Sequence, residues 1–263
     1  MRSSVVVTAL TLSFLMLPAA SASMLYGVGG NHEFFSIDPV SLNVTTIGET
    51  GVWFGSFGDL AYDEGTGTMW WAPGRNKNDL YTINMTTGAA TRVGTHGIND
   101  LFALGFANGV LYGGAYNGNV YTLNQTTGAP TFLANSGFSH TDAYDWNPLT
   151  ERMIGVDVYS QMSLYAMDET GAATRVAWIN SVNDGDIAFD INRNIYWQGD
   201  YSGNLYQYDS SWNRTMLRSD LDPIAGLEYV PDPVTVVPAP GAVLLAGAGL
   251  LTSLLRLRRE RTV

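Results

Sequence analysis

Five aspartates recur along the chain at similar distances from one another, each inside or directly after a predicted loop. They are Asp59, Asp100, Asp142, Asp186 and Asp222. Three aromatic residues, Trp53, Phe57 and Trp178, fall in the same segments. Carboxylates and aromatic rings gathered around one opening suit a sugar or a hard cation such as calcium. These eight residues are the candidate ligand-binding set, and calcium is the one cofactor they suggest.

The same aspartates also have a structural interpretation. Aspartate accepts backbone N–H groups in turns of many folds, and these five occupy equivalent positions of a repeat. The sequence favours this interpretation and leaves the ligand site open as the alternative. Site carboxylates should converge on one opening, whereas turn carboxylates should each bond within their own loop.

Catalytic motifs are lacking in the sequence. The three histidines, His32, His96 and His140, do not have the spacing of an HExxH zinc site. The sequence contains no Gly-x-Ser-x-Gly elbow and no phosphate-binding loop, and it has no cysteine for a disulfide or a thiolate site. We therefore expect a non-catalytic binding or interaction module. The alternative is an extracellular glycan-active hydrolase or lyase that uses the loop carboxylates.

The charge of the central region excludes one class of partner. Between Ser23 and Pro231 the chain carries 8 Arg and Lys against 22 Asp and Glu, a net charge near −14. Such a surface repels phosphate backbones, so we expect no nucleic-acid partner.

The elements that must position the candidate residues are repeated. Similar segments begin at Glu33, Asp79, Asn119, Ser163 and Asn204, as in DLYTINMTTGAATRVG and NVYTLNQTTGAPTFLA. Their matching positions, Asp38, Asn84, Asn124, Asp168 and Asp209, are separated by 46, 40, 44 and 41 residues. This period is typical of propeller blades or helical arrays, and alternating stretches such as Leu-Tyr-Thr-Ile favour β-strands.

Each unit divides into four strands, and the two ends of the region complement each other. Before the Leu-Tyr strand come an inner strand such as DLAYD and a second strand such as MWW; a Thr-rich outer strand follows. Gly88, Gly128 and Gly171 fall in the turn before the outer strand, where we expect positive φ. MLYGVGG at the start matches a second strand, and AGLEYV near Ala225 matches an inner strand. We predict an all-β, five-bladed β-propeller closed by pairing of these two strands.

The predicted loops that end at the inner strands lie at one end of the ring. This end, which also carries the loops between second and third strands, is called the loop face. All eight candidate residues are expected there, around the central opening.

The N-terminus has the pattern of a secretory signal peptide. Arg2 precedes an apolar run from Val5 to Leu17, and Ala20-Ser21-Ala22 provides a small-x-small cleavage site. Residues 1–22 are therefore predicted to be removed on export. The alternative is an uncleaved N-terminal anchor.

The C-terminus has three consecutive parts. Val237-Pro238-Ala239-Pro240 imposes an extended backbone, because proline disfavours helix in the residue before it. An uncharged, mostly apolar run from Gly241 to Leu255 follows, at the short end of what spans a bilayer. Four arginines then end the run, where they would stay on the cytoplasmic side of a membrane. They are Arg256, Arg258, Arg259 and Arg261.

This arrangement resembles the PEP-CTERM sorting signal of exosortase-bearing Gram-negative bacteria, with Ala239 where Glu is more usual. The resemblance covers only the last 27 residues or so. It implies that an exosortase-type enzyme processes a transient membrane anchor, and that the mature protein reaches the cell surface or an exopolysaccharide matrix. An exopolysaccharide or a surface protein is then the expected partner.

The predicted organisation has four segments. They are a signal peptide (1–22), a propeller (23–231), a Pro-rich linker with the sorting motif (232–240) and a transmembrane helix with an Arg-rich tail (241–263).

Overall fold

Five four-stranded antiparallel sheets make up the folded region, as the repeats predict. The computed structural model describes residues 23–53, 58–159, 161–179 and 185–232. The regular secondary structure of these residues consists of β-strands alone. These residues form an all-β, five-bladed propeller. The predicted fold class is confirmed for this part of the chain.

The strands follow one another blade by blade. Blade 1 contains β1 (Met24–Gly29), β2 (Glu33–Ile37), β3 (Val44–Glu49) and β20 (Ile224–Val230). Blade 2 contains β4 (Asp59–Asp63), β5 (Thr68–Ala72), β6 (Asp79–Ile83) and β7 (Ala90–Thr95). Blade 3 contains β8 (Leu101–Ala107), β9 (Val110–Ala115), β10 (Asn119–Leu123) and β11 (Pro130–Asn135). Blade 4 contains β12 (Thr141–Asn147), β13 (Arg152–Asp157), β14 (Ser163–Met167) and β15 (Ala173–Trp178). Blade 5 contains β16 (Gly185–Asp190), β17 (Ile195–Asp200), β18 (Leu205–Tyr208) and β19 (Arg214–Arg218).

Burial decreases from the inner strand of each blade to its outer strand. All six residues of the inner strand β16 are buried, because its two faces pack against neighbouring blades. The outer strand β15 instead alternates between half-buried and exposed residues, with the period of two of a strand that has one face in water. The inner strands β4, β8, β12, β16 and β20 contact one another in this order and form a closed ring.

Pairing of the chain ends closes the ring. Strand β20 pairs antiparallel with β1, with Leu25 opposite Tyr229 and Gly27 opposite Leu227. Leu25 and Leu227 are fully buried and pack in one cluster with Trp197. The predicted closure is confirmed, and it leaves neither strand as an exposed edge.

The repeated Asp and Asn residues cap the turns between third and fourth strands. The Asn84 side-chain oxygen accepts the N–H groups of Thr86 and Thr87 at 2.9 and 3.0 Å. Asp38, Asn124, Asp168 and Asp209 accept equivalent bonds in the other four blades. The Asn-x-Thr sequences that include Asn84 and Asn124 are thus explained by turn chemistry. Gly88, Gly128 and Gly171 have φ of 77°, 74° and 86°, as expected.

The proposed targeting segments lie outside the described residues. These are the signal peptide (1–22), the sorting motif from Val237 to Pro240, the apolar run and the four arginines. None of the described residues belongs to a helix long and apolar enough to cross a membrane.

Candidate functional site

The structure places the eight predicted site residues in different environments. Asp59, Asp142 and Asp186 lie in inner strands and are buried, whereas Asp100 and Asp222 lie in loops and are more accessible. Trp53 and Trp178 are 65% and 70% exposed. Phe57 lies outside the described residues.

Two of the predicted residues line different grooves. Asp222 lines a groove between blades 1 and 5 with Arg218 and Asp220. Trp178 lines a separate groove of about 400 Å³ with Trp212 and Met216. No group of three or more His, Asp or Glu residues among those described could hold a metal ion, so the geometry gives the calcium hypothesis no support.

Asp59 connects three blades. One carboxylate oxygen accepts the Leu60 N–H at 2.9 Å, and the other accepts the N–H groups of Leu104 at 2.8 Å and Tyr144 at 2.9 Å. These donors lie on β4, β8 and β12. Burial raises the pKa of Asp59 well above its ordinary value, against the lowering effect of the three bonds. Asp59 therefore has a structural role. Its hydrogen bonds join three inner strands, whereas a turn aspartate would bond within its own loop.

The loop face carries a row of aromatic rings. Tyr116 lies edge-on to Phe102 and to His140, with ring centroids 5.6 and 4.1 Å apart, and Tyr159 lies 5.0 Å from His140. His140 has a φ of 62°, a left-handed conformation that is uncommon outside glycine. This row includes none of the eight predicted residues.

A cavity of about 470 Å³ opens at the opposite end of the propeller axis. Each blade contributes the penultimate residue of its inner strand to the wall, and each of these residues is aromatic. They are Tyr62, Phe106, Trp146, Phe189 and Tyr229. We call this cavity the axial mouth. Its five rings come from strands far apart in sequence, because the closed ring brings the same strand position of every blade to one opening.

Two carboxylates extend into the axial mouth from the preceding strand position. That position holds Ala61, Gly105 and Ala188 in three blades and Asp145 and Glu228 in the other two. Asp145 and Glu228 are 7% and 6% exposed and line the cavity. The Asp145 carboxylate accepts the N–H of Trp146 at 2.6 Å and that of Phe189 across the blade boundary. The exposed Glu64 and the buried Asp63 add acidic groups to the wall.

Burial and mutual repulsion perturb these acids. Burial raises the pKa of Asp145 to about 7, and Glu64 contributes to the rise. Burial, together with Asp145, Asp59 and Glu64, raises the pKa of Glu228 well above its ordinary value. Among the described residues, no Lys, Arg or His lines the axial mouth, and the ion pairs Arg92–Asp79, Arg193–Asp190 and Arg218–Asp220 lie elsewhere. Two buried carboxyl groups inside an aromatic wall, both with raised pKa values, can bind a polar or cationic ligand or exchange a proton with one.

Sequence reasoning missed Asp145 and Glu228. The predicted acids recur from repeat to repeat, whereas these two acids replace small residues in only two of five blades. That departure from the repeat was the available signal. The two exceptions mark the candidate site.

Comparisons with known proteins identify the fold. No protein-family model and no curated protein matches the sequence. A structural genomics protein of unknown function from Bacteroides thetaiotaomicron superposes over 79% of this chain with a TM-score of 0.54 and 16% identity. This chain covers 60% of the length of that protein.

Two further solved structures superpose similarly. The nidogen/laminin complex matches 78% of this chain and 81% of its own, with a TM-score of 0.55 and 9% identity. An auxiliary nutrient binding protein from Bacteroides thetaiotaomicron matches 80% of this chain and 64% of its own, with a TM-score of 0.52 and 15% identity. At these identities the similarity extends to the propeller fold alone.

Proposed function

We propose that the propeller is a non-catalytic module that binds a glycan at the axial mouth. The observation that carries this proposal is the mouth itself, in which five aromatic side chains and the buried carboxylates of Asp145 and Glu228 line one cavity. Its volume of about 470 Å³ is in the range of small-molecule sites. Aromatic faces pack against the C–H groups of a sugar ring, while carboxylates accept hydrogen bonds from its hydroxyl groups.

The ends of the chain support an extracellular role. The signal-peptide pattern of residues 1–22 and the PEP-CTERM-like tail from Val237 to Arg261 favour export and processing by an exosortase-type enzyme. The apolar run would anchor the protein in the membrane before processing. The mature propeller would then meet its partner, an exopolysaccharide or a surface protein, at the cell surface or in the matrix.

Single tryptophan variants test where binding occurs. The fragment 23–231 would be incubated with a panel of polysaccharides, and retention and new reducing ends would be measured. Trp146→Ala should abolish retention, because Trp146 forms part of the wall. Trp178→Ala is the matched control, because Trp178 lies in a different groove. Loss of retention in Trp178→Ala alone would place the site outside the axial mouth, and melting temperatures would show that both variants fold.

A hydrolase or lyase is the second candidate. The observation that favours it is the pKa of Asp145, which is raised to about 7 and therefore suits proton transfer at neutral pH. New reducing ends that disappear in Asp145→Asn would establish the enzyme. Retention without new ends would support the binding module.

The tail has its own test in the producing cell. Replacing Arg256, Arg258, Arg259 and Arg261 with neutral residues should impair processing or retention and leave the propeller folded. Normal processing and unchanged fractionation of this variant would contradict the sorting role.

A further inference from the structure

We propose that the axial mouth selects glycans that carry a protonated amine over neutral glycans of the same size. This inference rests on the glycan-binding role proposed above and specifies the ligand class of the same site. Three independent features of the mouth lead to it: the sign of its charge, the hydrogen bonding of Glu228 and the chemistry of its wall.

The charged groups of the mouth that the structure describes all have the same sign. Asp63, Glu64, Asp145 and Glu228 line it, and none of the other described lining residues is Lys, Arg or His. The ion pairs Arg92–Asp79, Arg193–Asp190 and Arg218–Asp220 include none of these four carboxylates. Buried carboxylates are ordinarily paired with a cation. A cationic ligand would supply that partner.

Glu228 is the carboxylate best placed to receive such a ligand. It is 6% exposed and lines the cavity. The N–H of Tyr229 acts to lower its pKa, and no side chain among the described residues donates a hydrogen bond to it. The Asp145 oxygens differ, since backbone N–H groups of Trp146 and Phe189 already occupy them. An ammonium group has three hydrogen-bond donors and no acceptor. It can therefore donate to the Glu228 carboxylate, which receives no hydrogen bond from a described side chain.

The aromatic wall favours a cation as well as a sugar. An ammonium within about 6 Å of a ring centroid is attracted by the negative face of the ring, most strongly by tryptophan. Trp146, Tyr62 and Phe106 are half-buried members of the wall, so their rings remain partly accessible. The sugar ring and its amine can therefore both contact the same wall.

Proton linkage gives an independent signature. The groups that face Asp145 are Glu228 on β20, Asp59 on β4, Glu64 in the turn after β4 and Tyr196 on β17, and none of them is cationic. A bound ammonium would favour the charged forms of Asp145 and Glu228 and lower their raised pKa values. Binding near neutral pH should therefore release protons to the buffer.

Matched oligosaccharides test the preference. Binding of a glucosamine tetramer, an N-acetylglucosamine tetramer and a glucose tetramer with the same linkage would be measured by calorimetry at about pH 6, below the usual pKa of an amine. The free-amine tetramer should bind at least about tenfold more tightly than the other two. Glu228→Gln should reduce this ratio to nearly one. Glu49→Gln, which changes an exposed acid on the outer strand β3, should leave it unchanged.

The outcomes separate this inference from the proposed function. Equal binding of all three tetramers, lost in Trp146→Ala, would overturn amine selection and leave the glycan-binding role standing. Binding of no tetramer would also overturn it, and a negative polysaccharide panel would remove the binding role as well. If Glu228→Gln does not fold, calorimetry of the unaltered protein in two buffers of different ionisation enthalpy decides. Proton release supports the inference, and its absence contradicts it.

Discussion

Two kinds of buried acid lie along the propeller axis, and their hydrogen bonds distinguish them. The Asp59 carboxylate is saturated by three backbone N–H groups from three strands, so it stabilises the ring. Glu228 has no side-chain donor among the described residues and borders the cavity. A buried carboxyl group therefore stabilises the scaffold at Asp59 and belongs to a candidate ligand site at Glu228.

Removing the Asp59 carboxylate should destabilise the whole domain. Asp59→Ala leaves the buried N–H groups of Leu60, Leu104 and Tyr144 without an acceptor, and each costs about 1–3 kcal/mol. We expect the free energy of unfolding in urea to fall by at least about 3 kcal/mol. Asp79→Ala, which breaks an exposed ion pair with Arg92, should cost less than about 1 kcal/mol. Similar losses in both variants would show that Asp59 does not have this structural role.

The raised pKa of Asp145 predicts a decrease in stability with pH. Unfolded aspartate loses its proton near pH 4, whereas folded Asp145 keeps it until about pH 7. The folded state therefore binds more protons in this range, and stability is lost as pH rises through the folded pKa. His96, whose pKa burial lowers from 6.5 to about 4, acts in the opposite direction below about pH 6.5.

The effect of Asp145 on stability should therefore be measured above about pH 6.5, where His96 no longer contributes. Between about pH 6.5 and 8.5 the free energy of unfolding should fall by roughly 1 kcal/mol. Asp145→Asn should reduce this dependence, whatever its effect on absolute stability, and Asp59 and Glu228, whose pKa values burial also raises, should account for the rest. A stability that rises with pH over this interval in the unaltered protein would contradict the prediction.

At the scale of elements, close contacts between blades depend on glycine pairs. Gly48 in β3 packs against Gly88, in the turn that leads to β7 of the next blade. Gly94 in β7 packs in the same way against Gly128. A Cβ at Gly88 would lie 2.7 Å from the Gly48 carbonyl oxygen. The outer strand of one blade thus rests directly on the backbone turn of the next.

A pair of alanine variants separates this contact from backbone strain. Gly88→Ala and Gly97→Ala both place alanine at positive φ, 77° and 65°, but only Gly88 has atoms within 4 Å of the added Cβ. Gly97→Ala should cost about 1 kcal/mol from strain alone. Gly88→Ala should cost about 1–3 kcal/mol more, because the backbone of Gly48 must move. Equal losses in thermal or urea unfolding would show that the blade contact tolerates a side chain.

At the scale of the whole molecule, one strand pair holds the ring closed. Strand β20 completes blade 1 and contacts the inner strands β4 and β16 on either side. The stability of the propeller therefore depends on its last strand more than on any outer strand. That strand also brings Glu228 and Tyr229 to the axial mouth, so closure and the candidate site depend on each other.

Two truncations test closure. Deleting residues 225–230 should abolish cooperative unfolding, because fully buried Leu227 and the pairing with β1 are lost. Deleting residues 234–263 should leave the melting temperature of the propeller nearly unchanged. Equal melting temperatures for the two proteins would contradict closure by β20.

The sequence by itself determined the blades, their number and their closure. Alternating apolar residues set each strand, Asp or Asn with glycine set the turns, and the mismatched ends identified β1 and β20 as partners. These features are predictable because each depends on residues close together in the chain or on simple repetition. The predicted binding set did not have this support, since a repeat alignment shows equivalent positions without showing which of them point to the axis.

Only the tertiary structure decided which acids meet. Asp145 and Glu228 are about eighty residues apart, and they line the same cavity because the closed ring aligns the same position of every inner strand. The tertiary structure also brings the aromatic penultimate residues of the five inner strands around one cavity, at the end of the propeller opposite the loop face. Such contacts depend on the packing of one blade against another, which no local pattern encodes. The repeats therefore determine the scaffold, and the candidate site comes from the two blades whose residues depart from the repeat.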